Sequence, residues 1–375
     1  MVVMLHSYVA VQGFHISQVD YEQLSGTDIY SLVGITLSHV LTQVAVPVFF
    51  FISGYLFYIG FQKWNWQKYV EKIKRRIKTL VVPYLLWNTI QALITIGIMV
   101  LAYYLLEKPL GRICTWFEEV GGLYGIYWND QTTAVVKENM FGLETLKSYP
   151  LLIPMWFIRD LMITVLFSPV LWWLLKKIPM VVLSVLALLW ALGVGIPVPG
   201  LSFSGLLFFG LGGAFSLYEK SFLDMFSLIN KWLLIMLFVI LTVASIAYDG
   251  RSTDAGQILL SLWILVALPF FFRLAAWCMG LFPKIVNIIN SLSGVTYFVF
   301  AFHGVIISYI YTALWKMFGV VTDGGLLDAG YMDSHALNGI ATYLLTPVLA
   351  VAISVLGYWL VCKTLKSKSW YLTGK

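Results

Sequence analysis

Lys72-Ile-Lys74-Arg75-Arg76-Ile-Lys78-Thr-Leu-Val-Val-Pro83-Tyr84-Leu-Leu-Trp87 sets five cations directly before an apolar run that continues to Leu105. A helix needs about 20 mostly apolar residues to cross a bilayer. The run 79–105 meets that length. Cations crowded at one end of such a run mark the cytoplasmic side. This stretch therefore predicts a membrane-spanning helix and its direction together.

The same pattern recurs along the chain. Apolar windows lie at 1–14, 34–60, 79–105, 154–175, 180–198, 201–217, 232–248, 257–279, 294–318 and 339–362. Hydrocarbon offers no hydrogen bonds, so each window is expected as a helix. The expectation is an all-α integral membrane protein, a single domain over 1–375 with about ten transmembrane helices. The first window holds only about 14 residues, below the spanning length, so its helix is expected to be truncated or interfacial. The turn Pro197-Val-Pro199-Gly200 divides the fifth window from the sixth.

Composition agrees. Of 375 residues, 60% are apolar and 11% charged, and mean hydropathy is +0.86. Soluble domains carry about a quarter charged residues. The net charge of +6 does not point to nucleic acid, because the basic residues fall between apolar runs. Lys63, Lys68, the cluster to Lys78, Lys176, Lys177, Lys220, Lys231, Lys284 and the tail lysines all fall on one side. Asp20, Glu22, Asp28, Glu107, Glu118, Asp130, Asp249, Asp254 and Asp328 fall on the other. Ten spans with both termini cytoplasmic satisfy the positive-inside rule throughout. A long connection at about 107–153 falls on the external side. Its length implies local folding or the covering of a site.

Ionisable groups inside a membrane are costly and so mark candidate function. His6 sits in Val-Val-Met-Leu-His6-Ser7-Tyr8, His303 in Phe300-Ala-Phe-His303-Gly304, and Arg159–Asp160 near the start of the fourth span. Neutral imidazole can take a proton near pH 7, as general-base work on a hydroxyl requires. The bland alternative for each histidine is a hydrogen bond between helices. Arg159–Asp160 suits an anionic or sugar substrate, or equally a pairing between helices. His39 reads as interfacial. Arg75, Arg76 and Lys78 suit either phosphate binding or contact with anionic lipid. Gly54 and the cluster Gly205, Gly210, Gly212 and Gly213 read as close helix packing. No metal-ligand spacing, Walker loop or nucleophile elbow is present, and the three cysteines form no pattern.

Several segments, in order from end to end, resemble the acyltransferase-3 family of bacterial membrane O-acyltransferases. They are His6-Ser7, Ala45-Val-Pro47-Val-Phe-Phe-Phe-Ile-Ser53-Gly54-Tyr55, and Lys74-Arg75-Arg76-Ile-Lys78 through Pro83-Tyr84-Leu-Leu-Trp87. Met155-Trp156-Phe157-Ile-Arg159-Asp160-Leu161, Ser293 through Tyr297 to His303, and Leu372-Thr-Gly374-Lys375 complete the set. The resemblance implies a ten-helix enzyme of the bacterial inner membrane. It implies transfer of an acyl group, usually acetyl from acetyl-CoA as co-substrate, to a hydroxyl of a saccharide or lipid-linked glycan. It implies His6 as the catalytic residue. Arg75, Arg76 and Lys78 would then lie near the CoA phosphates, with Arg159, Asp160, His303, Trp156 and Ser53 toward the acceptor. No tightly bound cofactor or metal is implied. Two positions depart from the family pattern. Its arginine ten residues before the histidine has no counterpart, since five residues precede His6. Its Arg-x-x-Arg reads Arg75-x-x-Lys78, and lysine lacks the bidentate fork. A transporter or flippase, or a sensor retaining the fold, remains the alternative; visible repeats, common in transporters, are missing.

Overall fold

In the computed structural model every residue is described except 139–141, 143, 250–252, 293, 324, 325 and 375, so Ser293 and Lys375 of the motifs above lie outside the described residues. The described chain is built of helices: α1 Val2–Leu5, α2 Gly26–Tyr58, α3 Trp66–Leu106, α4 Arg112–Val120, α5 Gly122–Tyr127, α6 Trp156–Leu166, α7 Ser168–Lys177 and α8 Pro179–Ala191. After these come α9 Phe203–Leu217, α10 Phe222–Ser227, α11 Lys231–Ala247, α12 Asp254–Leu281, α13 Pro283–Leu292, α14 Thr296–Phe318, α15 Ala329–Leu365 and α16 Trp370–Thr373. Two hairpins interrupt them: β1 Asp130–Glu138 with β2 Glu144–Tyr149, and β3 Thr322–Asp323 with β4 Leu326–Leu327, both antiparallel.

The last nine apolar windows are each occupied by helix. Among the described residues five helices are long and apolar enough to cross a bilayer: α2, α3, α12, α14 and the stretch Ala329–Lys368. A sixth span results if Ile153–Leu166 and Ser168–Lys177, bent by 61°, are one crossing. The bend falls at Pro169, which has no N–H to continue the first ladder. Three further apolar helices, α8, α9 and α11, are shorter. The Pro197–Gly200 region separates α8 from α9, with Gly193 and Gly200 at φ +69° and +96° and Ser202 capping α9 through Gly205 N–H at 3.1 Å.

The first window departs from a span. Only Val2–Leu5 is helical, a rise of about 6 Å. Beyond it the chain is extended. Ala10 C=O accepts from Leu327 N–H at 3.0 Å, and Gln12 N–H donates to Leu327 C=O at 2.9 Å. Strand-like pairing with β4 thus satisfies the backbone that a continuing helix would have satisfied internally.

The core forms where α2 crosses α9. A Cβ at Gly54 would strike the carbonyl of Phe209, and one at Gly212 the carbonyl of Phe51. Glycine at both positions lets the backbones touch, as small residues do between membrane helices. Phe50, Phe51, Phe57, Phe208 and Phe209 fill the space alongside, each 1% exposed or less. Gly212→Val should force the helices apart at a cost of about 1–3 kcal/mol. The check is a lowered melting temperature and a poorer monodisperse yield in detergent.

The 107–153 connection folds locally into α4, α5 and the β1–β2 hairpin. Arg159 on α6 fastens it. Its Nη1 donates to Trp128 C=O at 2.6 Å and its Nη2 to Ser148 C=O at 3.2 Å, while Nε and Nη2 hold Asp160 Oδ1 at 3.0 and 2.9 Å. Asn88 adds a tie from α3, accepting from Leu152 N–H at 3.0 Å. Both members of the Arg159–Asp160 pair are buried. Removing one partner of such a pair leaves an uncompensated charge. Arg159→Met should therefore destabilise the protein by about 3–5 kcal/mol and expose the connection to proteolysis, read as faster cleavage within 107–153.

Candidate functional site

His6 follows the last residue of α1, and three contacts hold it in place. Ser7 Oγ donates to Val3 C=O at 2.9 Å, Ser38 Oγ donates to Met4 C=O at 2.9 Å, and Ser38 meets Tyr343 OH at 2.8 Å. The short helix is thereby pinned to α2 and α15. This brings the half-buried His6 ring to 5.6 Å from the His303 ring, centroid to centroid, at 40°. His303 is fully buried on α14. Its Nδ1 lies 3.0 Å from Val299 C=O. A carbonyl can only accept, so Nδ1 carries the proton and Nε2 carries the lone pair. That Nε2 is buried with no hydrogen-bond partner. Buried polar atoms are usually satisfied, and an exception calls for a cause such as a catalytic role. The pair thus couples one half-buried imidazole to a second whose tautomer is set by the helix.

Aromatic rings wall the site. Phe300 lies 6.1 Å from His303 and 6.1 Å from Phe157, which in turn packs edge-on to Phe50 at 4.8 Å. Gly304 allows close approach of Pro154 and Leu152. Trp156 lies at the same turn of α6, half-buried, with its ring 6.5 Å from Tyr149. Arg159 and Asp160 are engaged with each other and with the connection. Four of the five guanidinium donors are engaged with Asp160, Trp128 and Ser148. Their place is the joint between α6 and the connection.

The cationic cluster divides into two faces. Lys68, Lys72 and Arg76 recur every four residues, so they share one side of α3. That side meets the C-terminal end of α2. Lys68 Nζ donates to Gly60 C=O at 2.8 Å, and Lys72 Nζ to Phe57 C=O and to Ile59 C=O at 3.1 Å. Arg76 Nη2 reaches Ser53 C=O at 3.4 Å, with its guanidinium 5.2 Å from the Phe57 ring centroid. Unpaired carbonyls and the negative end of the helix dipole both draw cations there. Arg75 and Lys78 are exposed on the other face. Lys78 Nζ lies 4.6 Å over the ring of Trp370 from α16. Ser53 therefore meets the cluster through its carbonyl.

Distant motif segments converge beside Lys78. Trp87 Nε1 donates to Leu372 C=O at 3.0 Å, and Gly374, at φ +71°, leaves so little room that a Cβ would sit 3.0 Å from Thr79 C=O. Tyr297 packs against Gly374, and its OH is buried with no hydrogen-bond partner. Tyr297 and His303 share α14, six residues and about 9 Å of helix rise apart. The cation face and the histidine pair thus lie at two levels of one helix.

One cluster escapes sequence reasoning. His39 Nδ1 pairs with Asp249 Oδ1 at 3.4 Å. Tyr8 stands edge-on to His39 at 5.2 Å and to Tyr343 at 5.9 Å. Asp249 lies more than 200 positions away in the chain, and no local pattern joins them. The π-helical turn Ile35–Leu41 is a hint, shared with the one at Ile77–Val81, since such turns gather at functional sites; it is a property of the backbone rather than of any motif.

Comparison with known proteins supplies the remaining context. Residues 1–359 match the acyltransferase-3 family, described as an acyltransferase domain. A stretch of 151 residues is 27% identical to the succinoglycan biosynthesis protein ExoH of Rhizobium meliloti strain 1021, covering 40% of this chain and 35% of that protein. The match thus spans about a third of the relative's length. No solved structure gives a significant match. With its helical membrane architecture and a family match over nearly its whole length, the chain belongs to the acyltransferase-3 family of membrane acyltransferases.

Proposed function

We propose that this protein transfers an acetyl group from acetyl-CoA to a hydroxyl of a cell-envelope saccharide, within the bacterial inner membrane. The pairing of half-buried His6 with buried His303 carries the reading. The named relative acts in biosynthesis of a polysaccharide, which supports a saccharide acceptor. By the positive-inside rule the basic face of the bundle is cytoplasmic, where acetyl-CoA is present.

In the proposed reaction the acceptor oxygen attacks the thioester carbonyl carbon. His6 takes the hydroxyl proton as the new C–O bond forms. The C–S bond then breaks, and the leaving thiolate receives that proton. His303 works as a positioning residue: its Nε2 lone pair steadies the protonated form of His6. The apolar walls exclude water, which limits hydrolysis of the thioester. Arg75 and Lys78, exposed and on one face, hold the CoA phosphates. Arg76 supports that face from behind by fastening α3 to α2. Trp156 and Phe157 shape the wall on the acceptor side, and the Arg159–Asp160 joint keeps that wall in register.

Release of free thiol from acetyl-CoA in purified protein with de-O-acylated polysaccharide tests the reading. His6→Ala should lower kcat by about 10²–10⁴-fold, and undiminished activity would sink the catalytic assignment. A carrier or a sensor would release no thiol in the wild-type protein. On the donor side, Arg75→Ala and Lys78→Ala should each raise the KM for acetyl-CoA by about tenfold, the loss of one charge-assisted contact. Lys72→Met should act instead on stability, through the bare carbonyls at the end of α2.

A further inference from the structure

We propose that His39 and Asp249, with Tyr8 beside them, form the binding site for the saccharide acceptor at the face of the bundle opposite the basic one. This rests on the acyltransferase reading above. Asp249 follows α11 at the end away from Lys231, and Lys231 belongs to the basic side. Side chains of His39 and Asp249 remain 24% and 22% exposed, so the pair stands near the surface rather than in the core. A carboxylate only accepts, so His39 donates through Nδ1, and its Nε2 is the ring atom that would hydrogen-bond an incoming hydroxyl. Asp249 therefore does for His39 what the Val299 carbonyl does for His303.

The site connects to the histidine pair. Tyr8 is two residues beyond His6 and stands between it and His39 along the chain. Its ring stacks on Tyr30 at 5.7 Å, and Tyr343 links through Ser38 to the carbonyl of Met4. Polar groups thus run from Asp249 near the surface to the residues that pin His6. Aromatic rings beside hydrogen-bonding groups suit a pyranose, which has apolar C–H groups and a rim of hydroxyls. The π-helical turn at Ile35–Leu41 lets neighbours serve both ends of this line: Ser38 turns to Met4 and Tyr343, and His39 turns to Asp249.

Proton balance favours binding over proton export. The acceptor hydroxyl loses one proton and the thiolate gains one, so acetyl transfer releases none. A proton path to the outer face has no work to do in this reaction. A fixed acceptor near the surface does: it selects and orients a sugar before its hydroxyl reaches His6.

The test uses full-length protein in sealed proteoliposomes, with acetyl-CoA inside and de-O-acylated exopolysaccharide oligosaccharide outside. His39→Ala and Asp249→Asn should each raise the KM for the oligosaccharide about tenfold, the loss of one well-placed hydrogen bond, while the KM for acetyl-CoA stays as in the wild type. His39→Gln, which keeps an acceptor atom, should recover part of the loss. A merely structural role would lower folded yield and kcat without moving the acceptor KM alone. Active wild-type protein with an unaltered oligosaccharide KM in both variants would overturn the assignment of this pair and leave the acyltransferase reading standing. Equal increases in both KM values would overturn it too. Wild-type protein that acylates no oligosaccharide would overturn the acyltransferase reading itself, and the acceptor site with it.

Discussion

No backbone carbonyl or amide can be left bare in hydrocarbon, and this constraint organises the molecule. It makes nine of the ten apolar windows helical, and it makes each helix end a place where something must be bound. The end of α2 shows the consequence. The carbonyls just past it are met by Lys68 and Lys72, and Arg76, one helical turn further along α3, reaches the Ser53 carbonyl a turn before the end. Three cations are thereby taken out of the pool available to a ligand. The same demand fixes Arg159, whose guanidinium satisfies the carbonyls of Trp128 and Ser148 and seats the long connection on the bundle. Where the first apolar run ends too early to satisfy itself, pairing with Leu327 replaces the helix.

Once these obligations are met, some buried polar atoms are still left without partners, and two of them fall on α14. His303 Nε2 and Tyr297 OH lack partners on the same helix. Arg75 and Lys78 remain exposed near one end of it, and the His39–Asp249 pair lies toward the other. In the proposed reaction a charged, cytosolic thioester and a hydrophilic acceptor have to meet at one dry point. Polar groups at two levels, with the His6–His303 pair between them, suit that task.

Much of this was legible beforehand. The period and length of the apolar windows located nine helical segments, because lipid leaves the backbone no alternative. The run of Gly205, Gly210, Gly212 and Gly213 announced close packing, and the structure places Gly212 against Phe51 C=O. The basic cluster was recognisable as one feature, yet its division was not. Arg75 and Arg76 are neighbours in sequence, but a helix turns each residue by 100°, so one faces outward and the other the end of α2. The His39–Asp249 pair was out of reach, because nothing local joins residues separated by most of the bundle.

The sequence by itself determined the solvent, the helices and the family, since these follow from composition, periodicity and an ordered set of short motifs. Tertiary structure decided which polar groups are already occupied by the fold and which remain for chemistry. That division depends on which helix end, carbonyl or ring comes to lie opposite each side chain. His6 and His303 are almost 300 positions apart, and only the pinning of α1 by Ser38 and the seating of α14 bring their rings to 5.6 Å.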